Sequence, residues 1–299
     1  MTLTRDNYYT PEANREYMSC SQYQDFLTCE AKALAKIEGR WAEKPSEAFL
    51  VGNYFHSYFE SPEAHQEFCD QNFDKVFKSK VDRKTGEVIA TGKYAPYIKA
   101  DEMIHVMESD PAMKYYIDLP GENEAILAGK LFGEIPWRIR LDKYFPEKSL
   151  IIDYKTCANI QELKYNTERR ERETFVEAYG YMMRAAVYCE IERQTSGRDK
   201  DATFMLLCVS KQDYPDKEMI VLNHRQRYDY ELDQIKKRIF HIRDIKEHRA
   251  KPKRCGYCDY CRATKRINRA IPYFQLDPEF REGREDDYAI KDEDFFTAL

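Results

Sequence analysis

Three short apolar segments between residues 123 and 156 constrain the fold more than any other part of this sequence. They are NEAILAGKLF, EIPWRIRLDKYF and SLIIDYKT, and each alternates or runs apolar over a length typical of a β-strand. Gly133 separates the first segment from the second, and Pro146, Glu147 and Lys148 separate the second from the third. Connections this short join antiparallel neighbours, so we predict a three-stranded antiparallel meander.

Helical periodicity surrounds the meander. Before it we expect helices over about residues 19–37, 46–60 and 97–116, and after it a helix over about 174–192. A last long helix has one apolar face, made of Leu232, Ile235, Ile239, Ile242 and Ile245.

Further strands complete the predicted sheet. The segments ATFMLLCVS and EMIVLN predict two strands between the last two helices. The polar segment KSKVDRKTGEVIATGK contains a Thr85-Gly86 turn signal and predicts a mobile hairpin or loop. The order of elements predicts an α/β fold with a mixed central sheet flanked by helices, an N-terminal helical part and a C-terminal cysteine cluster.

Composition excludes several classes of protein. With 42% hydrophobic and 34% charged residues, the 299-residue chain can bury an adequate core and suits a soluble globular fold. No run approaches the roughly 18 apolar residues of a membrane span, and MTLTRDNYYTPEANREYMSC lacks the apolar centre of a signal peptide. We therefore expect a cytoplasmic protein with no membrane contact. The net charge of −5 gives no global signature of nucleic-acid binding, so any such contact must come from local patches.

Two aspartates and a lysine lie near the ends of the meander strands. Asp142 is near the end of the second strand and Asp153 near the end of the third, so adjacent strands should bring the carboxylates together. Lys155 follows Asp153 by two residues and therefore shares its face. Two close carboxylates cannot both ionise cheaply without a cation between them, and Mg²⁺ is a natural occupant. This set indicates a phosphodiester-hydrolysis site, and a solvated strand end is the structural alternative.

These residues also carry a family resemblance. Asp142 with Asp153-Tyr154-Lys155, preceded by Glu124 on the first strand, resembles the signature of the PD-(D/E)XK nucleases. GNYFH, which ends in His56, is similar to the upstream Gly-x-x-x-His helix of their RecB-like branch, whose histidine is a metal ligand.

A third motif extends the resemblance along the chain. Arg184 and Tyr188 fall where the RecB-like branch has Gln-x-x-x-Tyr. The ensemble most resembles the C-terminal exonuclease of RecE (exodeoxyribonuclease VIII) and its phage-encoded relatives, in order from about Met18 to Arg266. Arginine in the glutamine position is a departure, because arginine binds phosphate well and cannot accept a hydrogen bond. We expect the contact with DNA to differ there, and the metal chemistry to be kept.

The resemblance implies a function. It implies a Mg²⁺- or Mn²⁺-dependent exonuclease with a PD-(D/E)XK core that acts on the ends of linear double-stranded DNA. It further implies 5′-to-3′ polarity, 3′ single strands as product, and a single-strand annealing protein as partner, in a bacterial or phage-infected cell. The sequence leaves open whether the protein forms a homo-oligomer.

The resemblance also assigns roles to individual residues. Asp142, Asp153 and His56 would hold the metal, and Glu124 would be an outer ligand. Lys155 would orient the attacking water and stabilise the pentavalent phosphate. The remaining two site residues, Arg184 and Tyr188, lie on one helix face and would point at the active site. Two alternatives stay open: an endonuclease or single-strand nuclease of the same fold, and a DNA-binding or assembly module that has lost catalysis.

A cysteine cluster lies close to the C-terminus. Cys255, Cys258 and Cys261 have spacing that suits Zn²⁺ or an iron–sulfur cluster, and either needs a fourth ligand. In the RecB-like nucleases with a cluster, that ligand is a cysteine upstream of the histidine helix. Cys29 matches that place, with Cys20 as the runner-up. A 4Fe–4S cluster is favoured, with structural zinc as the alternative.

These motifs divide the chain into predicted regions. We expect an N-terminal arm over residues 1–18 and one nuclease domain over 19–274. Within that domain we expect a helical part (19–118), a catalytic core (119–250) and the cysteine cluster (251–274). Residues 275–299 form an acidic segment, predicted to be a disordered tail.

Overall fold

The structure is a computed structural model that describes residues 1–167, 169–267 and 270–277. The chain forms two compact units, Met1–Lys253 and a second unit from Arg254 onward. Most of the predicted acidic tail, residues 278–299, lies outside the described residues. Within the described residues, no helix has the length and apolar character that crossing a membrane requires.

Eleven α-helices and nine strands are described in the first unit, with a 3₁₀ helix at Pro146–Lys148. The helices are α1 (Pro11–Glu16), α2 (Cys20–Thr28), α3 (Glu30–Ile37), α4 (Glu47–Glu60), α5 (Pro62–Gln71), α6 (Phe73–Val76), α7 (Ala95–Glu108), α8 (Pro111–Asp118), α9 (Phe175–Ala178), α10 (Tyr181–Ser196) and α11 (Arg225–Lys246). The strands are β1 (Phe77–Val81), β2 (Val88–Lys93), β3 (Glu122–Leu131), β4 (Ile135–Phe145), β5 (Leu150–Cys157), β6 (Lys164–Asn166), β7 (Glu171–Glu173), β8 (Thr203–Ser210) and β9 (Lys217–Val221). In the second unit, α12 spans Asp259–Ala263 and a 3₁₀ turn spans Tyr273–Leu276.

The central sheet has five strands in the order β3-β4-β5-β8-β9. The first three strands form the predicted antiparallel meander. Strand β8 then pairs with β5 in parallel, which requires a crossover, and α10 lies in that crossover. Strand β9 returns antiparallel to β8. The predicted α/β fold with a mixed sheet flanked by helices is therefore confirmed.

Two apolar cores cover the two faces of the sheet. Ile151 belongs to the core that includes residues of α2, α3, α10 and α11. Its neighbour Ile152 belongs to the core that includes residues of α4 and α7. A strand covered on both faces has a continuous apolar run, which explains Leu150-Ile151-Ile152. Every position of β5 except Thr156 is buried, so its charged end is also held inside the protein.

Several predicted helices are interrupted. The helix expected over residues 19–37 is two helices, because the backbone of Cys29 is extended (φ −164°, ψ 106°). The helix expected over 174–192 is divided at Gly180, whose φ of 69° is in the left-handed region that glycine adopts readily. The helix expected over 97–116 ends before Asp110, whose side chain caps α8. The polar segment of residues 78–93 forms the hairpin β1–β2.

Candidate active site

The two strands that carry the predicted aspartates separate at the site. β4 and β5 pair at Lys143↔Ile152 and at the two positions beyond it, so Asp142 and Asp153 would be the next pair of this register. There the N–H of Tyr154 donates a hydrogen bond to Oδ2 of Asp142 at 2.9 Å, where a regular ladder would use a backbone carbonyl. The Asp142 side chain therefore fills the opening between the strands.

The side-chain alternation of β4 also breaks at this place. Leu141 and Tyr144 are three residues apart, yet both belong to the same core. In an uninterrupted strand only residues at even separations share a face. Opposite this break, Glu124 of β3 has a φ of 56°, which is unusual for a residue other than glycine. Backbone strain of this kind is concentrated at functional sites.

Lys155 joins the two aspartates. Its ammonium lies 2.6 Å from Oδ2 of Asp153 and 3.8 Å from Oδ2 of Asp142. It also donates a hydrogen bond to the carbonyl of Tyr154 at 2.9 Å. The Lys155 side chain is 10% exposed and that of Asp153 is 2% exposed, so the ion pair is buried. The structure thus brings together the three residues that the sequence pattern singled out.

His56 contacts Asp142 from the helical part. Its Nδ1 lies 3.1 Å from Oδ2 of Asp142, and the ring is partly exposed. Helix α4 is held on the sheet by Phe59, whose ring stacks on Tyr154 with centroids 4.5 Å apart and an interplanar angle of 13°. Because positions three apart lie on the same side of a helix, this stack directs His56 toward the strand ends.

Electrostatics at Asp142 favour the ionised form. Burial by itself would raise the pKa of this carboxyl group. The nearby His56 and Lys155, and hydrogen bonds from the His56 ring and the Tyr154 N–H, outweigh burial and hold the pKa of Asp142 well below its usual range. A carboxylate that stays ionised is available as a metal ligand.

The surroundings of Glu124 shift its pKa in the opposite direction from that of Asp142. It is 5% exposed, and its Oε2 lies 2.5 Å from Nε of Arg140. Burial and the nearby charge of Asp142 raise the pKa of Glu124 to about 8, although Arg140 opposes them. The register places Glu124 across from Asp142, since Asn123↔Lys143 and Ala125↔Leu141 flank it.

The predicted helix residues also reach the site. Arg184 of α10 has its NH1 atom 3.6 Å from Oδ1 of Asp153. Its neighbour one turn on, Tyr188, is 9% exposed, lines the same cavity and packs on Phe204. Asp153 therefore has a cation near each carboxylate oxygen, Lys155 on one side and Arg184 on the other.

The donor set fits a divalent cation. Two carboxylates and an imidazole are ligands that Mg²⁺ or Mn²⁺ accept. Oδ2 of Asp153 is buried and, besides its ion pair with Lys155, accepts no hydrogen bond among the described residues. An oxygen in this state has an open lone pair for a metal ion. Asp142, Asp153 and His56 are the residues that could hold it.

A cavity of about 940 Å³ opens over the site. Its lining includes all of the predicted site residues of the first unit except Asp153 and Cys29. It also includes the start of α2 and two arginines that the sequence pattern did not single out, Arg138 and Arg140. A signal was present, since in WRIRLD the charged residues alternate with apolar residues and Asp142 ends the segment.

The predicted cysteine ligands are found in both units. In the second unit, Sγ of Cys255 and Sγ of Cys261 lie 3.9 Å apart. The N–H of Cys258 donates to Sγ of Cys255 at 3.4 Å, and the N–H of Cys261 donates to Sγ of Cys258 at 3.5 Å. Backbone N–H donation to sulfur is typical of cysteines that hold a metal.

In the first unit, Cys29 is 3% exposed and connects α2 to α3. The residue after it, Glu30, accepts a hydrogen bond from the N–H of Lys253 at 2.6 Å. Cys255, Cys258 and Cys261 of the second unit are thiols of the type that can hold a metal ion. Cys20, the runner-up, begins α2 and lines the cavity.

Comparison with known proteins agrees with the fold. The chain belongs to the family described as "PDDEXK-like domain of unknown function (DUF3799)", whose model matches residues 19–264. It is also similar to a crystal structure named "Putative exonuclease" from Eubacterium rectale, with 33% sequence identity and a TM-score of 0.81. That match covers 92% of this chain and 98% of the other. A search of curated proteins gave no match. These findings support a PD-(D/E)XK nuclease.

Proposed function

We propose that this protein is a Mg²⁺-dependent exonuclease that hydrolyses phosphodiester bonds at the ends of linear double-stranded DNA. The observation that carries the proposal is the ammonium of Lys155, held between the carboxylates of Asp142 and Asp153, with His56 on Asp142. A fixed cation beside two carboxylates in a cavity is the arrangement that phosphodiester hydrolysis needs.

The residues divide the work of the reaction. Asp142, Asp153 and His56 would hold the divalent cation, which would polarise the scissile phosphate and lower the pKa of a water. Lys155, fixed by the Tyr154 carbonyl, orients the attacking water and stabilises the charge of the pentavalent phosphate. Arg184 binds a phosphate oxygen in place of the amide found in the RecB-like branch.

The finer assignment follows the resemblance to the RecE exonuclease. It gives 5′-to-3′ polarity, 3′ single strands as product and an annealing protein as recombination partner. The similarity to a named exonuclease structure supports action at DNA ends. Polarity is measured by digesting duplexes labelled at one 5′ or one 3′ end and following which label is released first.

The central experiment is digestion of linear duplex DNA with Mg²⁺, comparing wild type with Lys155→Ala and Asp153→Asn. Both variants should lose nucleotide release while they keep the far-ultraviolet circular dichroism of wild type. Activity in excess chelator equal to that in Mg²⁺ would contradict the metal mechanism. Cleavage of closed circular DNA at a similar rate would instead identify an endonuclease.

One observation favours a second candidate. Arg184 lies 3.6 Å from Asp153, so its guanidinium could replace a metal cation and leave a DNA-binding module without catalysis. In that case wild type binds linear duplex in Mg²⁺ but releases no nucleotides, and Arg184→Gln gains Mg²⁺-dependent release.

We also propose that Cys29 is the fourth ligand of the C-terminal cysteine cluster and that the cluster holds 4Fe–4S. The hydrogen bonds between Lys253 and the residues after Cys29 support this, since Lys253 lies two residues before Cys255. Anaerobically purified protein should be brown, and Cys29→Ser should bleach it. Colourless protein with one zinc per chain would favour a structural zinc site.

A further inference from the structure

The cavity contains a buried arginine whose charge is not balanced by the protein. Arg138 is 2% exposed, and its Nε and NH1 groups have no hydrogen-bond partner among the residues that the structure describes. NH2 donates to the side-chain oxygen of Asn14 at 2.5 Å, and the ring of Tyr8 stacks on the guanidinium at 4.5 Å. No carboxylate of the described residues forms an ion pair with it. Leaving buried charged donors unsatisfied is costly, so a ligand for them is expected.

A second cation, Lys246, interacts electrostatically with Arg138. The ammonium of Lys246 donates hydrogen bonds to the Tyr17 carbonyl at 2.9 Å and to the side-chain oxygen of Gln22 at 3.3 Å. It has no carboxylate partner among the described residues either. Burial, and then the charge of Arg138, lower the pKa of Lys246 to about 7. Lys246 is partly buried and its charge repels that of Arg138, which raises the cost of leaving Arg138 without an anion.

Helix α2 adds a third positive element. Ser19, Cys20, Ser21 and Gln22, the N-cap and first turn of α2, line the cavity. The N–H groups of a first helical turn and the positive end of the helix dipole favour an anion there. The hydroxyl groups of Ser19 and Ser21 lie 3.1 Å apart and hydrogen-bond to each other, so one of the two keeps its hydrogen for a ligand.

We propose that this end of the cavity is a phosphate subsite, formed by Arg138, Ser19, Ser21 and the start of α2, that binds a phosphate group of the substrate DNA. The inference rests on the proposed nuclease function for the identity of the substrate. Arg138 and Asp142 lie on the same strand, four residues and so about 13 Å apart along it. The end of a DNA strand that is bound at the metal site can therefore extend to the phosphate subsite within the same cavity.

Two phosphate groups of DNA have the required chemistry. An internal phosphodiester carries one negative charge, whereas a terminal 5′-phosphate carries up to two and offers three free oxygens. The phosphate subsite offers several donors and the charge of Arg138, which suits the terminal group better. Binding of a terminal phosphate would position the end of a 5′ strand relative to Asp142 and Asp153.

The first test uses inorganic phosphate alone, without DNA and with chelator. Thermal unfolding is followed as phosphate replaces chloride at constant ionic strength. Wild type should be stabilised in a saturable way, and Arg138→Met should not respond. The matched control is Arg193→Met, which removes an arginine paired with Glu190 outside the cavity and should respond like wild type. If water satisfies Arg138, wild type shows no response, and this result refutes the subsite even if Arg138→Met does not fold.

The second test compares linear duplexes with 5′-phosphate and 5′-hydroxyl ends in Mg²⁺. A terminal phosphate ligand predicts that wild type digests phosphorylated ends roughly tenfold faster or more, and that Arg138→Met loses this difference. Equal rates on both ends in wild type, with both slowed in Arg138→Met, identify an internal phosphodiester as the ligand. An Arg138→Met enzyme that keeps wild-type rates on both ends overturns the proposal. If wild type digests no DNA, the nuclease function fails while the phosphate titration still decides the subsite.

Discussion

Removing the ammonium of Lys155 tests the electrostatic balance of the candidate active site without requiring any activity. Lys155→Met keeps a similar volume and leaves Asp153, 2% exposed, beside Asp142 without the cation between them. Removing one partner of a buried ion pair costs about 3–5 kcal/mol of unfolding free energy. Arg184 remains 3.6 Å from the other oxygen of Asp153, so we expect the lower end of that range, about 3 kcal/mol.

The assay is urea unfolding in the presence of chelator. The control is Lys130→Met, because Lys130 pairs with Glu134 on the surface, where the side chains are 61% and 82% exposed. That variant should lose less than about 1 kcal/mol. The double variant Asp153→Asn/Lys155→Met should recover most of the loss, since it removes both charges of the pair.

Magnesium provides a second readout of the same argument. In Lys155→Met a divalent cation can take over the charge that the ammonium supplied, so Mg²⁺ should stabilise this variant more than it stabilises wild type. A loss below about 1 kcal/mol for Lys155→Met in chelator would refute the reasoning, because it would mean that Asp153 does not depend on Lys155.

Three further predictions concern Arg184, Lys246 and the cysteines. Arg184→Gln removes a positive charge beside Asp153 and should lower the Mg²⁺ concentration for half-maximal DNA digestion several-fold; an unchanged requirement would contradict a role for Arg184 at the metal site. Because the pKa of Lys246 is lowered to about 7, its destabilising charge is fully present below pH 7 and is relieved as pH rises toward about 10.4. The unfolding free energy of wild type should therefore improve relative to Lys246→Met between about pH 6 and pH 9, and a pH-independent difference would count against the lowered pKa. Cys258→Ser should reduce the bound metal measured by elemental analysis and lower the melting temperature, whereas Cys189→Ser, which changes a buried thiol outside the cluster, should leave the metal content unchanged.

The spacing of apolar residues predicted the parts of the fold that depend on residues close together in the sequence. The meander, strands β8 and β9, and helix α11 follow from apolar spacing, because each element must bury one or two faces whatever its partners are. The same spacing set Asp153 and Lys155 on one face of β5. Helix breaks were harder to predict. The extended backbone of Cys29 has no marker in FLTCEAKAL, and Gly180 is a marker that an otherwise helical pattern conceals.

The sequence by itself determined which residues are candidates for the chemistry, and the tertiary structure decided how they meet. Asp142, Asp153 and Lys155 could be chosen from the strand pattern, and His56 from a family motif, because residue type and local spacing are properties of the chain alone. The opening between β4 and β5 that Asp142 fills, and the unpaired guanidinium of Arg138, appear in no local pattern. They depend on where strands diverge and on which charges packing leaves without partners, and contacts between segments distant in the chain set both.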